Sequence, residues 1–137
     1  MAIKADNIFV NLPVKDVKNS MEFFSAIGFE FNMQFSDEQT ACLLIGENLF
    51  AMIMTEERFK QFTKKEIPDT ATNAQAIMAI GVQSKDLVDE IVDKALANGA
   101  SFYNEPQDLG FMYSRSFQDL DNHLWEVLYM DLTNTDQ

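Results

Sequence analysis

The chain has one cysteine and one histidine in 137 residues. A single cysteine excludes an intrachain disulfide and any multi-cysteine zinc or iron–sulfur centre, and a single histidine excludes every site that needs two imidazoles. Positive charge is scarce as well: 10 Lys and Arg against 22 Asp and Glu leave a net charge of −12 at pH 7. A surface that negative repels phosphate backbones and anionic lipid, so no nucleic acid and no membrane is expected as a partner, whereas a cationic partner is favoured. No run approaches the roughly 18 consecutive apolar residues of a membrane span. The start Met1-Ala-Ile-Lys-Ala-Asp6 lacks the long apolar core of a signal peptide, and the expectation is a soluble, cytoplasmic protein. A Gly-rich phosphate loop, a nucleophile elbow and a zinc motif are all absent. What is there is enough for a real core, with 47% hydrophobic and 23% charged residues.

Residues 7–14 (Asn7-Ile-Phe-Val-Asn-Leu-Pro-Val14) are rich in strand formers. Asp16 then stands as an N-cap; Val17, Met21, Phe24 and Ile27 recur at helical spacing, and Gly28 falls where a helix stops. Strands are predicted over 29–34, 41–45 and 49–54, with Gly46-Glu-Asn48 as the turn between the last two. Thr55 caps a short helix carrying Phe59 and Phe62 on one face, either a lid or an ordinary connecting helix, and 64–75 is a polar linker. The pattern then returns. A strand over 76–82 precedes a helix capped by Ser84 and stopped by Asn98-Gly99, and strands follow over 101–103, 112–117 and 123–130. Residues 131–137 form a polar tail.

The halves superimpose as a duplicated unit. Leu12-Pro-Val14 aligns with Ile80-Gly-Val82 at an offset of 68, Gly28 with Gly99 at 71, and Leu49-Phe-Ala-Met with Leu124-Trp-Glu-Val at 75. Each unit reads β-α-β-β-β, a sheet with one helix-covered face and one free face. In the first strand the helix takes the more apolar set, Ile8, Val10 and Leu12, so Phe9 and Asn11 point to the free side. The same alternation puts Ile77 there in the second half, and the matched closing strands add Ala51 and Glu126.

Paired β-α-β-β-β units, the Leu12-Pro-Val-Lys-Asp16 opening and the Phe117-Gln-Asp-Leu-Asp-Asn-His-Leu-Trp-Glu126 close resemble the vicinal oxygen chelate superfamily, the group of glyoxalase I, bleomycin-resistance proteins and extradiol dioxygenases. The Asn7 start and the Gly110-Phe-Met-Tyr-Ser-Arg-Ser-Phe117 run are similar to a bacterial branch labelled predicted lactoylglutathione lyase. The resemblance implies an α+β fold in which two tandem units form a cupped, eight-stranded mixed sheet with helices on the outer face. It implies one domain over 1–137, with unit one near 5–63, a linker near 64–75, unit two near 76–131 and a tail at 132–137. It also implies a homodimer. The superfamily's metal ligands fall, by position, on Phe9, Ala51, Ile77 and Glu126, three of which cannot bind a metal, so no metal and no cofactor is expected.

The function expected is enclosure of a small, partly apolar molecule in a cavity whose metal site is degenerate. The alternative is a lactoylglutathione lyase-like enzyme, or a metal-free isomerase, using Glu126 as its catalytic base. Glu126 is otherwise a relic, solvated or paired with Arg115. Phe9, Asn11, Ala51, Ile77, Tyr113 and Arg115 are the ligand-binding candidates. Arg115 either fixes a carboxylate of the ligand or pairs with Glu126, and Asn11 either binds ligand or satisfies nearby backbone. Trp125 and Cys42 read as core, and His123 as a solvated turn residue.

Overall fold

The computed structural model describes residues 1–131, and the expected tail at 132–137 lies outside the described residues. The chain divides into two compact units at Ile67/Pro68. The fold is a mixed α+β one with two sheets, of four and five strands.

The first unit runs β1 (Ile8–Val14), α1 (Val17–Ile27), β2 (Glu30–Asn32), a 3-10 turn (Met33–Phe35), β3 (Thr40–Gly46), β4 (Leu49–Thr55) and α2 (Glu56–Phe59). Asp16 caps α1 by accepting the N–H of Asn19 at 3.0 Å. Gly28 ends the helix at φ 124°, a left-handed conformation that costs a glycine little. The sheet order is β1-β4-β3-β2, with β1 and β4 parallel. Leu12, Ile53, Ala41 and Leu43 share one face and are buried, as are Phe23, Phe24 and Ile27 of α1, so this side is the core. The expected second strand is shorter than its apolar run because Asn32 turns the chain, its side chain accepting the N–H of Gln34. Helix α2 is a single turn capped by Thr55, which leaves Phe62 outside it, under the Arg58 guanidinium.

The second unit runs β5 (Ile77–Gly81), α3 (Lys85–Ala97), β6 (Ser101–Phe102), β7 (Gln107–Asp108), β8 (Met112–Gln118) and β9 (Leu124–Met130). Ser84 caps α3 through the N–H of Leu87 at 3.1 Å. The sheet order is β5-β9-β8-β6, and β7, a two-residue strand with no apolar signature, also pairs with β8. Trp125 and Phe117 stack at 6.3 Å in the core, with Val127, Val88 and Val92 also fully buried. Among the described residues no helix is long and apolar enough to cross a membrane.

Candidate functional site

On the first sheet, Phe9 lies opposite Phe50 and Asn11 opposite Met52, which in turn faces Cys42. These side chains share the face away from the core, as alternation predicts for Phe9 and Asn11. Ala51 does not join them. It pairs with Val10 and Leu43 and is fully buried on the core side. The expectation for Ala51 was one residue out of step, and a one-residue slip turns a strand side chain to the opposite face. Met52 and Phe50 are the β4 residues on Phe9's side.

Two short segments wall this face into a cavity of about 430 Å³. Its floor is Phe9, Cys42 and Met52; the 3-10 turn and the loop after it supply Gln34, Phe35 and Asp37, and α2 supplies Arg58. The Phe9 and Phe50 rings stack at 4.8 Å with 12° between planes, which holds Phe9 in place although it is half exposed. Asp37 shapes the loop: one carboxylate oxygen accepts the N–H groups of Gln39 at 2.8 Å and Thr40 at 3.0 Å. Thr40, buried at the cavity wall, has a hydroxyl with no hydrogen-bond partner among the described residues. Burial pushes the Cys42 thiol up, away from the reactive thiolate, as expected of a buried, inert cysteine, although it lies on the cavity floor.

In the second sheet Ile77, Ala79 and Gly81 lie opposite Leu124, Glu126 and Leu128, and Ser116 lies across from Glu126. Glu126 and Ile77 therefore share a face, as expected. Glu126 is half-buried beside a recess of about 50 Å³ with Ser114, Ser116, Asn104 and Gln107. That volume holds on the order of one water, not a ligand.

Tyr113 and Arg115 take the opposite face, packed on α3. The Arg115 guanidinium donates to Asp89 and to Asp93, each at 2.9 Å, and the Tyr113 hydroxyl donates to Asp89 at 2.6 Å. Neither the Arg115–Glu126 pair nor a ligand-facing Tyr113 is formed, because Ser114 and Ser116 hold the alternate positions. The signal was legible in α3: Asp89 and Asp93, four residues apart, lie on one helix face and offer Arg115 two carboxylates. The bond from Tyr113, together with Arg115, holds Asp89 below the usual carboxylate range, against some desolvation. The same bond pushes the Tyr113 phenol up. Burial opposes the charge on Arg115, but its bonds to Asp89 and Asp93 prevail and keep it more firmly protonated.

His123 is buried, not solvated. The turn between β8 and β9 folds around the buried Asp119, whose carboxylate accepts the N–H groups of Asp121 at 2.9 Å and His123 at 3.0 Å, and Trp125 Nε1 at 2.9 Å. Burial pushes the Asp119 carboxyl up, against the pull of His123 and of these donors.

Among the described residues no three His, Cys, Asp or Glu side chains come together around a point where an ion could sit. The free-face positions tell the same chemistry. Along β1 and β4 they are Phe9, Asn11, Phe50 and Met52, and along β5 and β9 they are Ile77, Ala79, Leu124 and Glu126. The first face offers one amide and the second one carboxylate, and neither by itself supplies the several N or O ligands that a divalent ion requires.

Residues 7–46 match the family described as bleomycin resistance protein-like N-terminal. No curated protein sequence matches the chain significantly. Solved structures do. A hypothetical protein from S. aureus is 24% identical over 92% of this chain and 95% of its own, with a TM-score of 0.76. A glyoxalase/bleomycin resistance protein/dioxygenase family enzyme from Burkholderia phytofirmans is 19% identical over 92% and 99%, with a TM-score of 0.74. The fosfomycin resistance protein FosX from Listeria monocytogenes is 24% identical over 97% and 98%, with a TM-score of 0.65. The chain thus has the fold of the glyoxalase/bleomycin resistance/dioxygenase proteins.

Proposed function

We propose that this chain is a glyoxalase/bleomycin resistance/dioxygenase superfamily protein that holds a small, partly apolar molecule in the cavity of its first unit, without a metal. The observation that carries this reading is the 430 Å³ cavity on the free face of the first sheet. Its volume lies within the span of about 300–1,000 Å³ usual for small-molecule sites, and its walls combine apolar side chains with a few polar groups. The match of residues 7–46 covers β1, α1, β2, the 3-10 turn and loop of the cavity, and β3, and supports the family assignment. A cytoplasmic homodimer fits the acidic sequence and the sheet edge at β1, where Ile8 is exposed.

The test is a thermal-shift screen of small aromatic compounds on the wild type and on Met52→Trp, which fills the cavity. Compounds that raise the wild-type Tm should fail to raise that of the variant, since a ligand stabilises only the state that binds it. Equal shifts in both proteins would place binding elsewhere.

The second reading, lactoylglutathione lyase-like turnover or metal-free isomerisation, rests on Glu126. Its carboxylate is half-buried and takes part in no ion pair among the described residues, which leaves it able to accept a proton.

A further inference from the structure

We infer that the molecule held in the first unit's cavity is a monoanionic amphiphile, with its single negative group on Arg58 and its apolar body against Phe9, Phe35 and Met52. The inference rests on the reading of that cavity as the ligand site and adds the charge of the ligand.

Arg58 is the one Lys or Arg that lines the cavity. In a chain of net charge −12 it would be expected to find a carboxylate, yet it takes part in none of the ion pairs among the described residues. Its contacts are neutral. One Nη donates to Gln61 at 3.1 Å, and the guanidinium sits 5.3 Å from the Phe62 ring centre. Most of a planar fork of N–H donors is left for a guest, and the natural match for such a fork is a carboxylate or another oxyanion.

A second group in the same cavity asks for a polar guest independently. Thr40 is only 8% exposed, and its Oγ1 has no hydrogen-bond partner among the described residues. A buried hydroxyl without a partner is costly, and a polar atom of the ligand would relieve that cost. Asp37, the acidic residue on the wall, is already engaged, since it accepts two backbone N–H groups and shapes the loop. It is a weaker anchor for a cation than Arg58 is for an anion. One cation also limits the guest to one negative charge, because a polyanion would meet the acidic surface with nothing further to neutralise it. The rest of the wall is Phe9, Phe35, Cys42 and Met52 with the neutral Gln34 and Ser36, and Phe35 and Phe9 are 65% and 50% exposed.

The experiment is an amide-resolved NMR titration with three naphthalenes of one shape: 1-naphthoate, 1-naphthamide and 1-naphthylmethylammonium. The wild type should bind naphthoate about tenfold more tightly than naphthamide, with the ammonium weakest, and the shifts should centre on Thr40, Cys42 and Met52. Arg58→Met keeps an apolar stem and should bring naphthoate and naphthamide to within about twofold of each other. Arg58→Lys should restore part of the preference. Equal binding of all three by the wild type, a preference for the ammonium, or a naphthoate preference that survives Arg58→Met would overturn the inference and leave the cavity as the site. Absence of shifts around Thr40, Cys42 and Met52 with every compound would overturn both. The charge order in the wild type is decisive even if a variant folds poorly.

Discussion

Trp125 and Asp119 are joined in the second unit by a 2.9 Å bond in which the indole N–H donates to a carboxylate buried beside it. The other oxygen of Asp119 holds the N–H groups of Asp121 and His123, so one side chain organises the whole turn into β9. Asp119→Ala orphans three donors and should cost roughly 2–4 kcal/mol. Asp119→Asn keeps an acceptor and should cost less. Urea unfolding of the two variants checks the order.

The same carboxyl gives the chain a pH dependence whose sign follows from burial. Its folded value lies above the ordinary 3.8, so the native state keeps this proton to higher pH than the unfolded chain does. Its contribution is complete below the ordinary carboxylate range and is lost as pH rises through the folded value. Asp89 is shifted down and acts in the other direction, but only below 3.8 and, with its side chain 45% exposed, weakly. Above the ordinary carboxylate range the Tm should therefore fall with rising pH until the folded value of Asp119 is passed, and Asp119→Asn should flatten the slope. Circular dichroism melts of both proteins provide the comparison.

The register of β4 separates stability from binding at adjacent residues. Ala51→Leu forces extra volume into the fully buried face and should cost about 1–3 kcal/mol. Met52→Ala, on the cavity floor, should cost less and weaken 1-naphthoate binding instead. Paired measurements of Tm and affinity test the exchange. If the two substitutions affect binding alike, the assignment of faces is wrong.

Glu126→Gln distinguishes binding from turnover. With the hemithioacetal of methylglyoxal and glutathione, a binding protein gives no product in either form. Product from the wild type that disappears in Glu126→Gln would favour the lyase-like reading. Arg115→Met, which breaks the contacts to Asp89 and Asp93, should leave ligand binding unchanged, since those contacts lie on the α3 face.

Punctuation made most of the fold legible. Asp16, Thr55 and Ser84 act as the expected caps, and Gly28 and Gly99 stop their helices with positive φ. Faces were harder. Alternation placed Phe9, Asn11, Ile77 and Glu126 correctly. Aligning Leu49-Phe-Ala-Met with Leu124-Trp-Glu-Val put Ala51 one step off, because in the sheets it is Met52 that stands as Glu126 does. The same-face partners of β8 were misread since Arg115 looks like a ligand hook until Asp89 and Asp93 are seen beside it. The cavity was half visible through Phe9. Its other wall comes from the 3-10 turn, the Asp37 loop and one turn of helix, segments too short to carry periodicity. His123 gave no sign of burial, since its place depends on the bonds that Asp119 makes four residues away.

The most direct test of the central claim is native mass spectrometry of the protein as isolated, with Met52→Trp prepared in parallel and checked for folding. A small-molecule mass carried by the wild type, released on denaturation and missing from Met52→Trp, is the predicted result. A wild type with no bound mass even after incubation with 1-naphthoate, or the same adduct on both proteins, would contradict a ligand site in the first unit's cavity.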